Sequence, residues 1–164
     1  MALEGIQPYA VDPKGRVPVC PDHRNHLQGD IVCTVGWEPC VVVMTAQTFA
    51  DIESRLRQHT DLLDPSIHDL IRRFVGYKTT GQLDKQGRIT LPRPHRREAR
   101  ISIEEDQNQV MMVGMIDWIE CWSKALFDEF SKTKWTPELL REVARETGFA
   151  ALLRRPAAEG AGAE

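Results

Sequence analysis

The sequence has few cysteines, and none of them is arranged as a disulfide or zinc pair. Cys20, Cys33, Cys40 and Cys121 are irregularly spaced and form no C-x-x-C motif. This spacing predicts neither a disulfide framework nor a ribbon-type zinc site. We therefore expect reduced thiols in apolar surroundings.

Long apolar runs and a secretory leader are also missing. The run Val41–Met44 is far too short to cross a bilayer, and the opening Met-Ala-Leu-Glu-Gly lacks the basic-then-apolar order of a signal peptide. Hydrophobic residues make up 41% and charged residues 27% of the 164 residues, which is typical of a globular chain. We therefore expect a cytoplasmic protein with no membrane partner.

Catalytic motifs are absent as well. The sequence has no G-x-S-x-G elbow, no H-E-x-x-H pair and no Walker-type loop, and Gly36 and Gly114 stand outside any glycine-rich loop. These absences favour a protein that is not an enzyme. We expect neither a cofactor nor a small-molecule substrate.

What the sequence does contain is a pattern that occurs twice. The segment Asp12–Val19 (DPKGRVPV) is similar to the segment Asp84–Leu91 (DKQGRITL). His23-Arg24 follows the first segment at the same distance as His95-Arg96 follows the second. Residues 41–45 (VVVMT) resemble residues 119–123 (IECWS), and the second copy carries a small acidic insertion around residues 104–106. The repeated order of turn, strand, short basic helix, strand and capped helix indicates an internal duplication.

Each copy begins with a predicted β-turn. Asp12 suits the first position of a type I turn, Pro13 the second, and Gly15 the last, where a positive φ is tolerated. After each glycine, apolar and polar residues alternate with the period of a half-buried strand. The predicted inward residues are Val17, Val19, Ile89 and Leu91, and the outward residues are Arg16, Arg88 and Thr90.

Helices are predicted to follow the strands of each copy and to cover them. Apolar-periodic segments begin after the N-cap residues Thr45, Asp64, Ser123 and Thr136. The predicted organisation is a first module at residues 1–59, a connecting helix at 60–76, a second module at 77–131, a C-terminal helix at 132–153 and a disordered tail at 154–164.

Positive charge is concentrated in the second copy. Residues 84–100 contain six basic and two acidic residues, although the whole chain carries a net charge of -3. The corresponding window of the first copy, residues 12–24, contains three basic and two acidic residues. Duplex DNA attracts such clusters by counterion release, and arginine can bond to phosphates and to guanine edges. The second copy is therefore expected to supply more of the attraction.

Two other interpretations of these residues stay open. Arg16 could form a structural ion pair with Asp12 that holds the hairpin shut. A zinc site is the second alternative, although its spacing fits no common zinc knuckle. Its four ligands would be Cys20, His23, His26 and Cys33. Without a metal, His23 and His26 are expected to be partly exposed on a short helix.

The repeated motifs resemble those of a known family. Residues 82–92 (QLDKQGRITLP), followed by His95–Ala99 (HRREA), are similar to the second half of the MraZ family, and Asp12–Val19 resembles its first half. Residues 118–123 (WIECWS) resemble the family's strand leading into a serine-capped helix. The resemblance extends from about Tyr9 to Phe130, and the doubled D-x-x-G-R motif is its most specific element.

The resemblance implies a fold and a function. The implied fold class is α+β, mostly β: a pseudo-duplicated SpoVT-AbrB-type swapped-hairpin barrel with covering helices. The implied function is that of a nucleoid-associated transcriptional regulator that forms a ring-shaped homo-oligomer. Its implied partner is double-stranded DNA, at promoter repeats of a cell-division and cell-wall operon that includes its own gene.

The resemblance also implies which residues contact DNA. Asp12 and Asp84 are expected to shape the turns, the arginines to contact phosphates and bases, and the lysines to contact phosphates. The expected DNA-binding residues are Lys14, Gly15, Arg16, Lys85, Gly87, Arg88, Arg93 and Arg96. The alternative is an AbrB/MazE-like antitoxin, or another transition-state-type regulator, with a protein partner.

Overall fold

The chain folds as an α+β structure. The computed structural model describes residues 2–59 and 64–149. Within these residues the strands are β1 (Ile6–Ala10), β2 (Arg16–Pro18), β3 (Ile31–Val35), β4 (Cys40–Thr45), β5 (Thr79–Gly81), β6 (Arg88–Thr90), β7 (Gln109–Gly114) and β8 (Trp118–Ser123). The helices are α1 (Pro21–Arg24), α2 (Ala46–His59), α3 (Pro65–Phe74), α4 (Arg93–Glu98), α5 (Lys124–Lys134) and α6 (Pro137–Glu146).

The strands form two sheets that reflect the predicted duplication. One is a six-stranded antiparallel sheet in the order β1-β7-β8-β4-β3-β5, and the other is the antiparallel pair β2-β6. The strand order of the large sheet is symmetric about its centre. The counterparts in the two copies are β1 and β5 at the edges, β7 and β3 next to them, and β8 and β4 in the middle. The two copies are therefore related by a pseudo-two-fold axis.

The copies exchange their first strands. β1 of the first copy pairs with β7 of the second, from Ile6 opposite Val113 to Ala10 opposite Gln109. In the same way β5 of the second copy pairs with β3 of the first, and β4 and β8 join the two hairpins at the centre. Each sheet therefore contains strands from both copies.

The core is shared between the copies in the way that the alternating pattern predicts. Val17, Val19, Ile89 and Leu91 are all buried and belong to one cluster that also contains sheet residues of both copies. A module of this size buries too little apolar surface to be stable alone, and sharing the cluster removes that difficulty. The stability of each copy therefore depends on the other.

The expected burial of the cysteines is found for Cys33, Cys40 and Cys121, whereas Cys20 is only half-buried. All four are free thiols. Burial raises the pKa of Cys33 and of Cys121 to about 12. Because only the thiolate is strongly nucleophilic, these two side chains act as small apolar core residues.

The predicted helix N-caps are in place. The Thr45 hydroxyl accepts a hydrogen bond from the Thr48 amide at 3.0 Å, and the Asp64 carboxylate accepts one from the Ser66 amide at 2.9 Å. Ser123 and Thr136 accept from the third amide beyond them, both at 3.4 Å. These bonds satisfy amides that would otherwise lack an intrahelical partner.

Helices α3 and α6 are counterparts that have different surroundings. Each starts with a proline, Pro65 or Pro137, and is followed by a glycine, Gly76 or Gly148, so the two helices share one sequence framework. The α3 helix is fixed to the sheet because the Thr34 hydroxyl donates to the Phe74 carbonyl and Phe74 is buried. By contrast, α6 has no buried residue.

Two compact units can be distinguished. The first contains residues up to 127, and the second begins at residue 128 and contains the end of α5 together with α6. None of the helices in the described residues is both long enough and apolar enough to span a membrane. The predicted disordered tail at 154–164 lies outside the described residues.

Truncation of a core side chain in one copy should destabilise both copies. Ile89→Ala removes a fully buried side chain, so we expect a loss of about 2–5 kcal/mol in the free energy of unfolding. Urea denaturation followed by circular dichroism should show one transition, and hydrogen exchange should accelerate in β1 as well as in β7. The matched control is Ile6→Ala, because Ile6 is 43% exposed. Selective loss of protection in the second copy alone would contradict the shared core.

Candidate nucleic-acid interface

The two predicted turns are present and have the same geometry. The Gly15 amide donates to the Asp12 carbonyl and the Gly87 amide to the Asp84 carbonyl, both at 2.8 Å. The φ angles are +79° at Gly15 and +71° at Gly87, in the left-handed region that favours glycine. This conformation explains why both copies have glycine at this position.

Each turn is held by an aspartate that accepts backbone hydrogen bonds. Oδ1 of Asp12 accepts from the amides of Lys14 and Arg16, both at 2.9 Å. Oδ1 of Asp84 accepts from the amide of Gln86 at 2.9 Å and from that of Arg88 at 3.0 Å. The aspartate side chains thus stabilise the backbone of the loops that carry the predicted contact residues.

The second oxygen of each aspartate pairs with an arginine. Asp12 Oδ2 lies 2.7 Å from Nε and 2.6 Å from Nη2 of Arg16. In the second copy Asp84 Oδ2 lies 2.8 Å from Nε and 2.7 Å from Nη2 of Arg88. The ion pair between Asp12 and Arg16, which the sequence suggested as a structural alternative, is therefore present. The second copy has the equivalent pair between Asp84 and Arg88.

These pairs change the acidity of the aspartates. Hydrogen bonding from the Arg16 side chain is the main cause that lowers the pKa of Asp12 from 3.8 to about 2. The pKa of Asp84 is lowered mainly by the corresponding bond from Arg88. Both carboxylates therefore stay ionised to a lower pH than a free aspartate, and each holds a guanidinium in a fixed orientation.

The two turns lie side by side. β2 and β6 pair with Val17 opposite Ile89, and Nη1 of Arg88 lies 3.7 Å from Oδ2 of Asp12. Asp12 is therefore within ion-pair distance of the turn arginines of both copies. The Arg16 and Arg88 side chains are 28% and 24% exposed, so both remain accessible to solvent.

Pro18 does not interrupt the pairing of these strands. The Val19 amide donates to the Gly87 carbonyl at 3.0 Å, and the Leu91 amide donates to the Gly15 carbonyl at 2.8 Å. Hydrogen-bonded and non-hydrogen-bonded positions alternate in an antiparallel pair. Pro18 occupies a non-hydrogen-bonded position opposite Arg88, where β6 requires no amide from it. The first copy therefore retains the same strand pairing as the second.

Each turn is also covered by an arginine from the other copy. Arg24 Nε donates to the Val19 carbonyl at 2.9 Å, and its side chain occupies the space that a Cβ on Gly87 would need. Arg96 Nε donates to the Leu91 carbonyl at 3.1 Å and lies 3.1 Å from the position of a Cβ on Gly15. The two glycines thus provide space for these side chains as well as the positive φ.

Most of the predicted contact residues lie on or beside the turns. Lys14 and Lys85 are exposed at the tips, and Arg96 is half-buried against the turn of the first copy. Arg93 is exposed at the first position of α4. Arg24 was not among the predicted contact residues. It occupies the same position in the first copy as Arg96 in the second, and this equivalence could have identified it.

The two repeated histidines are buried, and the expectation that His23 is partly exposed is wrong. His23 Nε2 lies 2.8 Å from the Glu4 carbonyl, and His95 Nε2 lies 2.6 Å from the Tyr77 carbonyl. Each ring therefore contacts the segment that precedes the first strand of its copy. Among the described residues, no group of three or more His, Cys, Asp and Glu side chains could hold a metal ion.

Comparison with known proteins matches most of the chain to one family. The family model described as "MraZ protein, putative antitoxin-like" matches residues 2–66 and 74–148. The chain belongs to the MraZ family. The resemblance found in the sequence is thereby confirmed, and the two matched segments of the MraZ pattern correspond to the two copies, including α6 at the end of the second.

Several relatives carry the name "Transcriptional regulator MraZ". The one from Pseudoalteromonas atlantica is 29% identical over 149 residues, covering 88% of this chain and 89% of the relative. The one from Methylococcus capsulatus is 28% identical over 150 residues, covering 89% and 94%. The one from Mannheimia succiniciproducens is 30% identical over 146 residues, covering 86% and 87%. The similarity to these MraZ proteins thus extends well beyond the turn motifs.

The Asp12 ion pair predicts a specific pH dependence of stability. Because the folded protein lowers the pKa of Asp12 from 3.8 to about 2, this carboxylate contributes stability above pH 3.8 that is lost as the pH falls towards 2. The free energy of unfolding should therefore decrease less between pH 4 and pH 2 in Asp12→Asn, whose side chain does not titrate, than in the unmodified protein. Urea denaturation at several pH values in this window measures the difference.

Asp117→Asn is the matched control for that measurement. Asp117 is exposed, and no ion pair to it occurs in the described residues. This variant should retain the pH dependence of the unmodified protein. If Asp12→Asn also retained it, the proposed contribution of the turn ion pair to acid stability would be wrong.

Proposed function

We propose that this chain is a sequence-specific, double-stranded-DNA-binding transcriptional regulator of the MraZ type. The observation that carries the proposal is the placement of two arginine-bearing turns side by side, with Asp12 within ion-pair distance of both Arg16 and Arg88. Two fixed guanidinium groups on one surface suit a ligand that offers regularly spaced phosphates and base edges. The names of the relatives, all transcriptional regulators, agree with this proposal.

The ion pairs assist this function because they orient the arginines. Each guanidinium has five N–H donors, and the aspartate of its own turn occupies Nε and Nη2. Donors on Nη1 stay available for a phosphate oxygen or a guanine edge, because Nη1 of Arg88 lies 3.7 Å from Asp12 Oδ2, which is beyond hydrogen-bond distance. A side chain that is already held in one orientation loses less conformational entropy when it binds.

The remaining residues have complementary roles in this proposal. Lys14 and Lys85 contact phosphates as flexible point charges, and Arg93 and Arg96 extend the basic surface along α4. Gly15 and Gly87 contribute to the DNA-binding loops through their positive φ and through the space that they leave for Arg96 and Arg24. Asp12 and Asp84 shape the loops and are not themselves DNA contacts, because a carboxylate repels phosphate.

The finer features of the family are part of the same proposal. The strand exchange between the copies supports a swapped-hairpin barrel of the SpoVT-AbrB type. We extend the proposal to a cytoplasmic, nucleoid-associated protein that forms a ring-shaped homo-oligomer. Its proposed operator is a set of promoter repeats in a cell-division and cell-wall operon, and it has no catalytic activity and needs no cofactor.

Replacement of Arg88 tests the DNA-binding role. Arg88→Ala should weaken binding to the upstream region of the protein's own gene by roughly 1–3 kcal/mol and lower the salt dependence of log K by about one unit of slope. Fluorescence anisotropy at two or more salt concentrations, with random duplex as competitor, measures both effects. Arg16→Ala should have a similar effect if the two turns contribute equally.

Two controls separate DNA contact from a structural role. Arg57→Ala removes the same charge from an exposed position on α2 and should leave binding unchanged. The melting temperature of Arg88→Ala should fall only slightly, because the Asp84–Arg88 pair is partly exposed and water can solvate the remaining carboxylate. A large drop in melting temperature with unchanged affinity would assign Arg88 a structural role and contradict the proposal.

A further inference from the structure

An apolar groove lies away from the turns, between the helices of the first copy and the centre of the sheet. Its cavity volume is about 300 Å³, and its walls come from α2, α3, β4 and the start of β8. Apolar side chains dominate the lining, with Leu56 on α2, Leu70 on α3 and Trp118 on β8 as examples. Leu70 is 41% exposed and Trp37, which also lines the groove, is 63% exposed. The groove thus offers open apolar surface to a partner.

Among the residues that the structure describes, three charged ones line the groove: Arg55 is the cation, and Glu38 and Glu120 are the carboxylates. Glu120 is already engaged, since its carboxylate accepts from the indole Nε1 of Trp122 at 3.0 Å. Arg55 on α2 is exposed, and no ion pair to it occurs in the described residues. A small polar ligand would need several converging polar groups, which this lining does not offer. An apolar stripe suits this lining better, and a carboxylate beside the stripe can pair with Arg55.

The helix α6 carries such a stripe. Leu139, Leu140 and Val143 are 41%, 50% and 52% exposed, and their spacing places them on one face of the helix. Glu142 and Glu146 follow Leu139 and Val143 by three residues, so they flank that face with negative charge. Large apolar residues that stay exposed on a short amphipathic helix mark a contact surface.

We infer that α6 of one copy of this chain docks in the α2–α3 groove of a second copy. The helix and the groove are both present in every copy, so each copy can offer one surface and receive the other. The apolar stripe would cover the groove while Glu142 or Glu146 approaches Arg55, in the helix-in-groove mode of recognition. The framework that α6 shares with α3, which already lies against the sheet, supports the fit.

The contact is head-to-tail, because it joins two different surfaces. A heterologous contact of this kind leaves a free helix on one chain and a free groove on the other, so further chains can add until the assembly closes. The inference deepens the proposed homo-oligomer and rests on that proposal for its partner. It does not depend on DNA binding, since neither surface includes a turn residue.

Complementation between two variants tests the docking. The variant Leu140→Gln/Val143→Gln disrupts the apolar face of α6 and keeps the groove intact. The variant Leu56→Gln/Leu70→Gln disrupts the groove and keeps α6 intact. Sedimentation velocity without DNA should show each variant alone as a single chain. An equimolar mixture should form a species of two chains and stop there, because each pair retains one intact helix and one intact groove.

The matched control is Arg141→Gln/Arg145→Gln, which changes the opposite face of α6 and should assemble like the unmodified protein. Recovery of association in the mixture would also show that both variants are folded. The docking would be refuted by a monomeric unmodified protein, by assembly of either variant alone, or by a mixture that stays monomeric. Because Arg88 is unchanged in all of these chains, a failure of DNA binding would leave this result unaffected.

Discussion

The pairing of β2 with β6 is the interaction on which the rest of the structure depends. It places Val17 opposite Ile89 in the shared core and fixes the two turns next to each other on the outside. Without it, the Asp12 carboxylate would not reach Arg88, and Arg24 and Arg96 would not cover the turns of the opposite copy. A short ladder of three residues per strand therefore couples burial of the core to the geometry of the charged surface.

Much of the local structure could be predicted from the sequence because it is specified by neighbouring residues. The glycine-ended turns, the inward Val17 and Leu91, and the N-caps Thr45 and Asp64 each follow from the preferences of a few adjacent side chains. The exchange of first strands did not follow from the pattern. Pairing within a copy and pairing between copies bury the same alternating residues, so periodicity alone does not distinguish them.

The candidate site was predicted in part for the same reason. The turn residues were identified because their motif is local and repeated, whereas Arg24 was omitted because its importance depends on contact with Gly87 in the other copy. The burial of His23 was missed because its partner, the Glu4 carbonyl, belongs to the backbone and leaves no mark in the sequence. The two roles considered for Arg16 are also compatible, since an ion pair can hold the same guanidinium that meets a ligand.

Because both copies belong to one polypeptide, each copy can acquire substitutions independently of the other. In a dimer of identical chains, a substitution appears twice and must be tolerated at both places. Here Pro18 can stand where the other half has Thr90, and Lys14 where it has Gln86, while the common core holds both halves in register. The two turns are therefore chemically distinct, and selection can refine one of them for a given target without altering the other.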